Sequence, residues 1–118
     1  MKGFNITSFT APLDILINKA REKNILTIGI GDGGNEIGMG KISDKVKKLI
    51  PYGEKCNCPC QSGILSVTKT DFLIISSVSN WGVYGLIAAY DYLKKRKYTY
   101  TSDLEEFLLK KAVDNGVI

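Results

Sequence analysis

Residues 28–41 read IGIGDGGNEIGMGK, and this stretch decides how the rest of the chain is interpreted. Six of its fourteen residues are glycine, half of the twelve that the chain contains. Two acids, an amide and a lysine lie among the glycines, and the apolar residues 25–28 lead into them. Glycine permits positive φ and lets a ligand approach the backbone closely. The pattern predicts a β-strand, a binding or catalytic loop at its carboxyl end, and then a helix.

The flanking segments alternate between helical and strand patterns, which is typical of an α/β fold. We expect a mostly parallel sheet of few strands with flanking helices, and residues 1–118 as a single α/β domain or a fragment of a larger catalytic domain. In the first half of the chain, the predicted elements are a helix that starts near Pro12 and ends at Lys23, a strand at 25–30 and a helix at 42–50. A short strand at 64–67 and a strand at 72–78, buried on both faces, follow. The remaining elements are a helix after 79–82, a helix from the capping box at 102–105 to Asn115, and a strand beginning at 117.

Length and charge exclude several classes of protein. The chain has 118 residues, enough for one domain with a modest core. Its net charge of +4 is too mild to indicate nucleic-acid binding. No apolar run is long enough to span a bilayer, and residues 1–5 lack the order of a signal peptide. We therefore expect a cytoplasmic protein with no nucleic-acid or membrane partner.

Histidine is absent from the sequence. Its absence removes the commonest general base and the commonest nitrogen ligand of metals. Catalysis by a Ser-His or Cys-His pair within this chain is therefore excluded. Any proton transfer must depend on Asp, Glu, Lys, Tyr or Cys.

The three cysteines alternate within one loop, as Cys56, Cys58 and Cys60. Such a pattern can bind a soft metal, but tetrahedral zinc requires four ligands and the chain has no fourth Cys or His. An odd number of cysteines without a secretion signal argues against a disulfide. The preferred interpretation is a loop with free thiols, dispensable for folding and without stoichiometric zinc. A metal shared between two chains is a further alternative.

Two predicted strands end in unusual polar loops, at residues 31–41 and 79–82. If the strands are parallel, both loops lie at the same edge of the sheet, where ligands bind in open α/β folds. Carboxylates, amides, a hydroxyl and an aromatic ring suit the binding of a small polar molecule. The candidate catalytic residues are Asp32 and Glu36, and the candidate substrate-binding residues are Gly31, Gly33, Gly34, Asn35, Lys41, Ser79, Asn80 and Trp81.

Structural roles compete with several of these assignments. Asn80 is equally well explained as the N-cap of the following helix, and Trp81 as a core residue. Asp32 and Glu36, with Asn35, could instead bind a divalent cation that acts as a Lewis acid. No cofactor other than this possible divalent cation is expected.

The segments GIGDGGNEIGMG (29–40) and TDFLIISSVSNWG (70–82), followed by Tyr84, resemble the D-glutamate cyclase family. The resemblance runs from about residue 10 to 117 and corresponds to the later portion of the family's catalytic domain. Val83 stands where glycine is expected after SNWG, and Phe72 where histidine is frequent. The resemblance implies a lyase that closes D-glutamate into 5-oxo-D-proline with loss of water, and its animal member is mitochondrial.

This chemistry would require an acid–base group, oxyanion donors and a bent substrate. Asp32 or Glu36 could accept the ammonium proton if its pKa is raised, and two acids at one loop could divide into one ionised and one protonated group. The glycine N–H groups and Lys41 are candidates for holding substrate oxygens.

Two other functions remain open from the sequence. One is a non-catalytic domain that binds a nucleotide or phosphate through the same loop, although Asp32 and Glu36 would repel a phosphate without a cation between them. The other is a structural fragment that self-associates through an unpaired sheet edge. The expected partners are thus a small amino-acid substrate and, in the second case, further copies of the chain as a homo-oligomer.

Overall fold

The structure, a computed structural model, describes residues 7–98 and 100–117. The chain divides into two units, Met1–Gly82 and Val83–Ile118. In the first unit, a 3-10 turn at Thr7–Phe9 precedes four elements: helix α1 (Leu13–Glu22), strand β1 (Ile28–Gly31), helix α2 (Ser43–Val46) and strand β2 (Phe72–Ile75). Helix α3 (Ser79–Leu93) crosses the division between the units, and α4 (Ser102–Asp114) lies in the second.

Strands β1 and β2 pair in parallel, with Ile28 opposite Phe72 and Gly31 opposite Ile75. Helices precede and follow these strands along the chain, which confirms the predicted α/β class. The parallel pairing places the residues that follow Gly31 and Ile75 at one edge of the sheet. The two polar loops therefore follow neighbouring strand ends.

Hydrogen bonds between Thr27 and Asp71 join the amino ends of the two strands, opposite the edge with the polar loops. The Asp71 carboxylate accepts hydrogen bonds from the N–H and the hydroxyl of Thr27, at 2.8 and 2.7 Å. The Asp71 N–H donates to the Thr27 hydroxyl oxygen at 3.0 Å. These hydrogen bonds hold the pKa of Asp71 below its ordinary value, so the carboxylate stays ionised.

Helix α1 begins and ends as its sequence predicts. Pro12 lies directly before its first residue, and Asn24, just past its end, has a φ of 55° that stops the helix. Its apolar side chains are not covered, because Leu13 and Leu16 are 56% and 62% exposed. Within the described residues, this face has no packing partner that buries it.

The prediction that residues 64–67 form a strand is wrong. In the structure they form a loop, and only Lys69 beyond them makes isolated bridges to Gly38 and Met39. The predicted strand at 72–78 is shorter, and its burial on both faces is also wrong, because Phe72 and Ile75 are 58% and 60% exposed. A continuous apolar run is typical of a strand covered on both faces, but the described residues do not provide that cover.

The predicted helix at 42–50 is regular only over Ser43–Val46 and continues as hydrogen-bonded turns to Ile50, where Pro51 follows.

The loop that contains the three cysteines also differs from the prediction. Cys56 and Cys58 form a disulfide, so the expectation of three free thiols is wrong for this structure, and Cys60 alone is free.

The second unit contains the rest of α3 and all of α4. The predicted capping box at 102–105 is wrong: Thr101 is the N-cap, and its hydroxyl accepts a hydrogen bond from the Leu104 N–H at 3.3 Å. Gly116, with a φ of 66°, follows the end of the helix as predicted. Val117 lies in no strand, and Ile118 is outside the described residues.

Over the ranges that the structure describes, none of the helices combines the length and the apolar character needed to cross a membrane.

Candidate functional site

The carboxyl ends of β1 and β2 are joined by Asp32. Its carboxylate accepts hydrogen bonds from the N–H and the hydroxyl of Ser79, both at 2.8 Å. Asp32 follows the last residue of β1, and Ser79 is the first residue of α3, after the end of β2. The two polar loops that the sequence singles out are therefore in direct contact.

The surroundings of Asp32 favour its ionised form. The Ser79 hydroxyl, the Ser79 N–H and a hydrogen bond with the Glu36 side chain together lower the pKa of Asp32 below its ordinary value of 3.8. Asp32 is therefore held as the anion at this edge of the sheet.

Glu36 folds back onto the glycine-rich loop. Its two carboxylate oxygens accept hydrogen bonds from the N–H groups of Gly33, at 3.0 Å, and Gly34, at 2.8 Å. Consecutive backbone N–H groups that converge on one carboxylate form a cradle for an anion. In this structure an internal carboxylate fills the cradle, so the Gly33 and Gly34 donors do not face an open site.

Two glycines of the loop are explained by their surroundings. Gly34 has a φ of 102°, and a Cβ there would lie 2.7 Å from a side-chain atom of Ile50. A Cβ on Gly31 would lie 2.7 Å from the side chain of Met39 and 3.0 Å from Glu36. Side chains at these positions would force these neighbours to shift.

Three further candidates lie beside this edge. Asn35 is exposed in the loop, and Asn80 is exposed in the first turn of α3, one residue after the helix begins. Asn80 is therefore a residue of the helix and not its N-cap. Trp81 is 62% exposed, so it is not a core residue of the first unit.

Lys41 lies elsewhere. Its ammonium group donates a hydrogen bond to the backbone oxygen of Asp71 and lies 6.0 Å from the centre of the Phe72 ring. Asp71 and Phe72 are at the amino ends of the strands, opposite the edge at which Asp32 lies. The structure thus brings Asp32, Glu36 and Ser79 together and does not bring Lys41 to them.

A cluster that the sequence did not single out lies in the second unit. The hydroxyl groups of Tyr84 and Tyr100 each donate a hydrogen bond to Glu105, one to each carboxylate oxygen. The two rings are stacked, with their centroids 4.6 Å apart. In the sequence, Glu105 is a candidate capping residue, and no spacing rule connects it with Tyr84.

A depression near the site does not include the acids. An open cavity of about 410 Å³ between α2 and the loop after Gly53 is lined by Ser43, Asp44, Lys47, Gly53, Glu54, Ser62, Leu65, Ser66 and Val67. Asp32 and Glu36 are absent from its lining. Nor do they belong, over the described ranges, to any group of three Cys, Asp or Glu side chains close enough to share a metal ion.

The acid pair of this small α/β unit lies at the carboxyl edge of parallel strands, where ligands bind in open α/β folds. The comparisons with known proteins name the family. The family described as "D-glutamate cyclase-like, C-terminal" matches residues 1–118. The chain belongs to this family, as its sequence resemblance implies.

One curated relative supports the same membership. The chain is similar to the D-glutamate cyclase, mitochondrial, of Homo sapiens, with 37% identity over 89 residues. The matched region covers 75% of this chain and 13% of the human protein. The chain thus spans a small part of that relative's length.

Proposed function

We propose that the protein containing this chain closes D-glutamate into 5-oxo-D-proline and water, and that Asp32, Glu36 and Ser79 contribute to the site. Family membership and the human relative's printed name support this choice of reaction. The observation that carries the assignment of residues is the acid pair at the carboxyl edge, with one member held ionised.

The proton balance of the reaction suits such a pair. The substrate ammonium loses two protons as its nitrogen becomes an amide, and the departing oxygen gains two as it becomes water. No proton is consumed or released overall. A carboxyl group can therefore accept a proton from nitrogen and return it to oxygen.

We assign the transfer to Glu36 and the supporting charge to Asp32. Asp32 is tied to the start of α3 by two hydrogen bonds from Ser79, which restrain it as a fixed anion near the substrate ammonium. Glu36 is held by the Gly33 and Gly34 N–H groups, which belong to its own loop, and by Asp32.

Displacement of Glu36 would open the anion cradle. The Gly33 and Gly34 N–H groups would then be free to bind a substrate carboxylate in the position that the Glu36 carboxylate now occupies. Such donors would stabilise the negative charge that develops when the amine attacks the side-chain carboxyl carbon. Holding the amine and the carboxyl together in one bent conformer would supply a further share of the rate.

The test uses the complete protein and follows loss of D-glutamate and gain of 5-oxoproline. Glu36→Gln retains the shape of the side chain but cannot accept the proton, so turnover should fall by about 10²-fold or more. Glu22→Gln, on exposed α1, is the matched control and should leave turnover unchanged. Normal turnover in Glu36→Gln with native melting would exclude Glu36 as the proton carrier.

The possible divalent cation is tested in the same assay. Asp32 and Glu36 have the oxygen ligands that a hard cation prefers. Dialysis against a chelator should abolish turnover if a metal ion is the Lewis acid, and added Mg²⁺ or Mn²⁺ should restore it. Full activity after chelation would leave the two acids with proton-transfer and electrostatic roles alone.

A second candidate function follows from the anion cradle. The paired N–H groups suit a phosphate as well as a carboxylate, and the chain could bind a nucleotide without catalysis. Calorimetry with D-glutamate, 5-oxoproline, ATP and inorganic phosphate separates the two functions.

The predicted cytoplasmic location of the protein stays a proposal and is tested by imaging a tagged full-length copy.

A further inference from the structure

The three cysteines converge at one point of the first unit. The Sγ atom of Cys60 lies 3.1 Å from that of Cys58 and 3.5 Å from that of Cys56. All three sulfur atoms lie within 4.8 Å of one another. Cys56 is only 3% exposed, while Cys60 is exposed. The cluster therefore has a buried base and an open side.

The backbone of the loop brings these sulfur atoms together. The Gln61 N–H donates to the Cys58 oxygen at 3.0 Å, and the Ser62 hydroxyl donates to the Cys60 oxygen at 3.1 Å. Pro59, between the second and third cysteines, restricts the backbone of the unfolded loop and so lowers the entropy lost on closing it. The Ile64 N–H donates to the Tyr52 oxygen at 3.1 Å and joins the two ends of the loop.

We propose that Cys56, Cys58 and Cys60, when reduced, bind one soft monovalent metal ion, of which Cu(I) is the biological representative. Thiolates select soft ions such as Cu(I) and Zn(II). A structural zinc site takes four protein ligands, and the sequence contains three cysteines and no histidine. A trigonal site of three thiolates is complete for Cu(I) and incomplete for Zn(II).

The surrounding charge favours this site. Three thiolates and one monovalent cation carry a net charge of −2. Lys55 directly precedes Cys56, and it lines one shallow depression together with Lys47, Lys48 and the acid Glu54, so the charge of these lining residues is net positive. These ammonium groups would offset the negative charge of the metal–thiolate centre.

The disulfide and the metal site exclude one another. A reductant must supply two electrons and two protons to the Cys56–Cys58 disulfide, giving two thiols; a cellular dithiol does this by becoming a disulfide itself. Cu(I) then displaces the protons of the three thiols, which leave to solvent. The loop can therefore bind metal only in its reduced form.

The experiment titrates Cu(I) into the 118-residue chain under anaerobic conditions, after reduction with a phosphine, in competition with a chromogenic copper chelator. We expect one Cu(I) retained per chain, with an ultraviolet sulfur-to-copper charge-transfer band. Unreduced protein should retain none. Each of Cys56→Ser, Cys58→Ser and Cys60→Ser removes one ligand and should weaken retention by at least the ~10-fold that loss of an outer-shell partner costs.

The matched control is Ser62→Ala, which lies in the same loop and carries no sulfur; it should retain copper as the wild-type chain does. Circular dichroism checks that each variant is folded. Three outcomes would overturn the proposal. They are no copper retained by the reduced wild-type chain, copper retention in the single serine variants equal to that of the wild-type chain, and stoichiometric Zn(II) held in preference to Cu(I).

Discussion

Gly33 and Gly34 are neighbours in sequence but not equivalent in structure. A Cβ on Gly34 would meet Ile50 and require a φ of 102°, whereas a Cβ on Gly33 would lie 3.3 Å from the side-chain oxygens of Asn35 and Glu36. We expect Gly34→Ala to lower the free energy of unfolding by roughly 1–3 kcal/mol because of backbone strain. Gly33→Ala is the matched control, with an expected change within about 0.5 kcal/mol.

Chemical denaturation of both variants checks this prediction. The sequence alone predicts that both glycines resist substitution, since it cannot tell which of two adjacent glycines has positive φ. Equal losses of stability in the two variants would support that simpler view and contradict the structural distinction.

The lowered pKa of Asp32 predicts a pH dependence of stability. A carboxyl whose folded pKa lies below its unfolded value stabilises the fold above the unfolded value and loses that contribution as the pH falls through the folded pKa. The melting temperature of the wild-type chain should therefore fall more steeply below about pH 4 than that of Asp32→Asn.

The control for this titration is Asp114→Asn, at the exposed end of α4. It should retain the acid sensitivity of the wild-type chain. Asp71 acts in the same direction through its bonds to Thr27, so some acid sensitivity should remain in Asp32→Asn. Superimposable profiles for the wild-type chain and Asp32→Asn would show that the bonds from Ser79 add no stability in solution.

At the scale of elements, the start of α4 offers a test that depends on one residue. Thr101 accepts a hydrogen bond from the Leu104 N–H, while Ser102 is already helical and its hydroxyl donates to the Asp103 carboxylate. Thr101→Ala should reduce stability by about 1 kcal/mol, the usual loss for a removed N-cap. Ser102→Ala should change it by no more than about 0.5 kcal/mol.

Thermal melting of the two variants distinguishes the residues. If Ser102→Ala is the more harmful change, the capping box lies where its sequence pattern indicates. Threonine and serine are both good caps, so adjacent examples leave the position of the cap open until the backbone is known.

Elements with strong local signals could be predicted from the sequence. Proline and a positive-φ asparagine delimit α1, and the glycines after β1 mark the loop. Properties that depend on distant contacts could not. The side chain of Lys41 turns to the opposite edge of the sheet, and Glu36 turns back onto its own loop, because of neighbours that no spacing pattern encodes.

The candidate site was partly predictable for the same reason. Parallel strands place their carboxyl ends at one edge, so the contact of Asp32 with Ser79 follows from the strand order. The strand order does not show that the Glu36 carboxylate occupies the Gly33 and Gly34 N–H donors. The Cys56–Cys58 disulfide also could not be inferred, because spacing and count say nothing about which sulfur atoms meet.

At the scale of the whole molecule, the sheet and the residues beside it carry exposed apolar side chains. Two strands do not form an independently stable sheet in water, and Phe72 and Ile75 in β2 and Leu26 just before β1 are each more than half exposed. We expect the isolated chain to self-associate through these residues, seen as concentration-dependent sedimentation. In a longer protein, other segments could cover the same surface.

A charged substitution on the sheet tests the association. Ile75→Lys should shift the chain toward monomer, because a lysine on an edge strand opposes pairing. Val67→Lys is the matched control, since Val67 is 87% exposed in a loop outside the sheet. A wild-type chain that sediments as a monomer at every concentration would contradict the expectation.

Two aspartates, one at each end of the sheet, help to fix the register between the two strands. Asp71, before β2, bonds to Thr27, before β1, and Asp32, after β1, bonds to Ser79, after β2. A slip of one residue between the strands would move each pair apart by about 3.3 Å and break both. A sheet of two strands has few backbone bonds with which to fix its own alignment. The alignment that brings the catalytic candidates together is therefore specified by side chains at both ends of the strands.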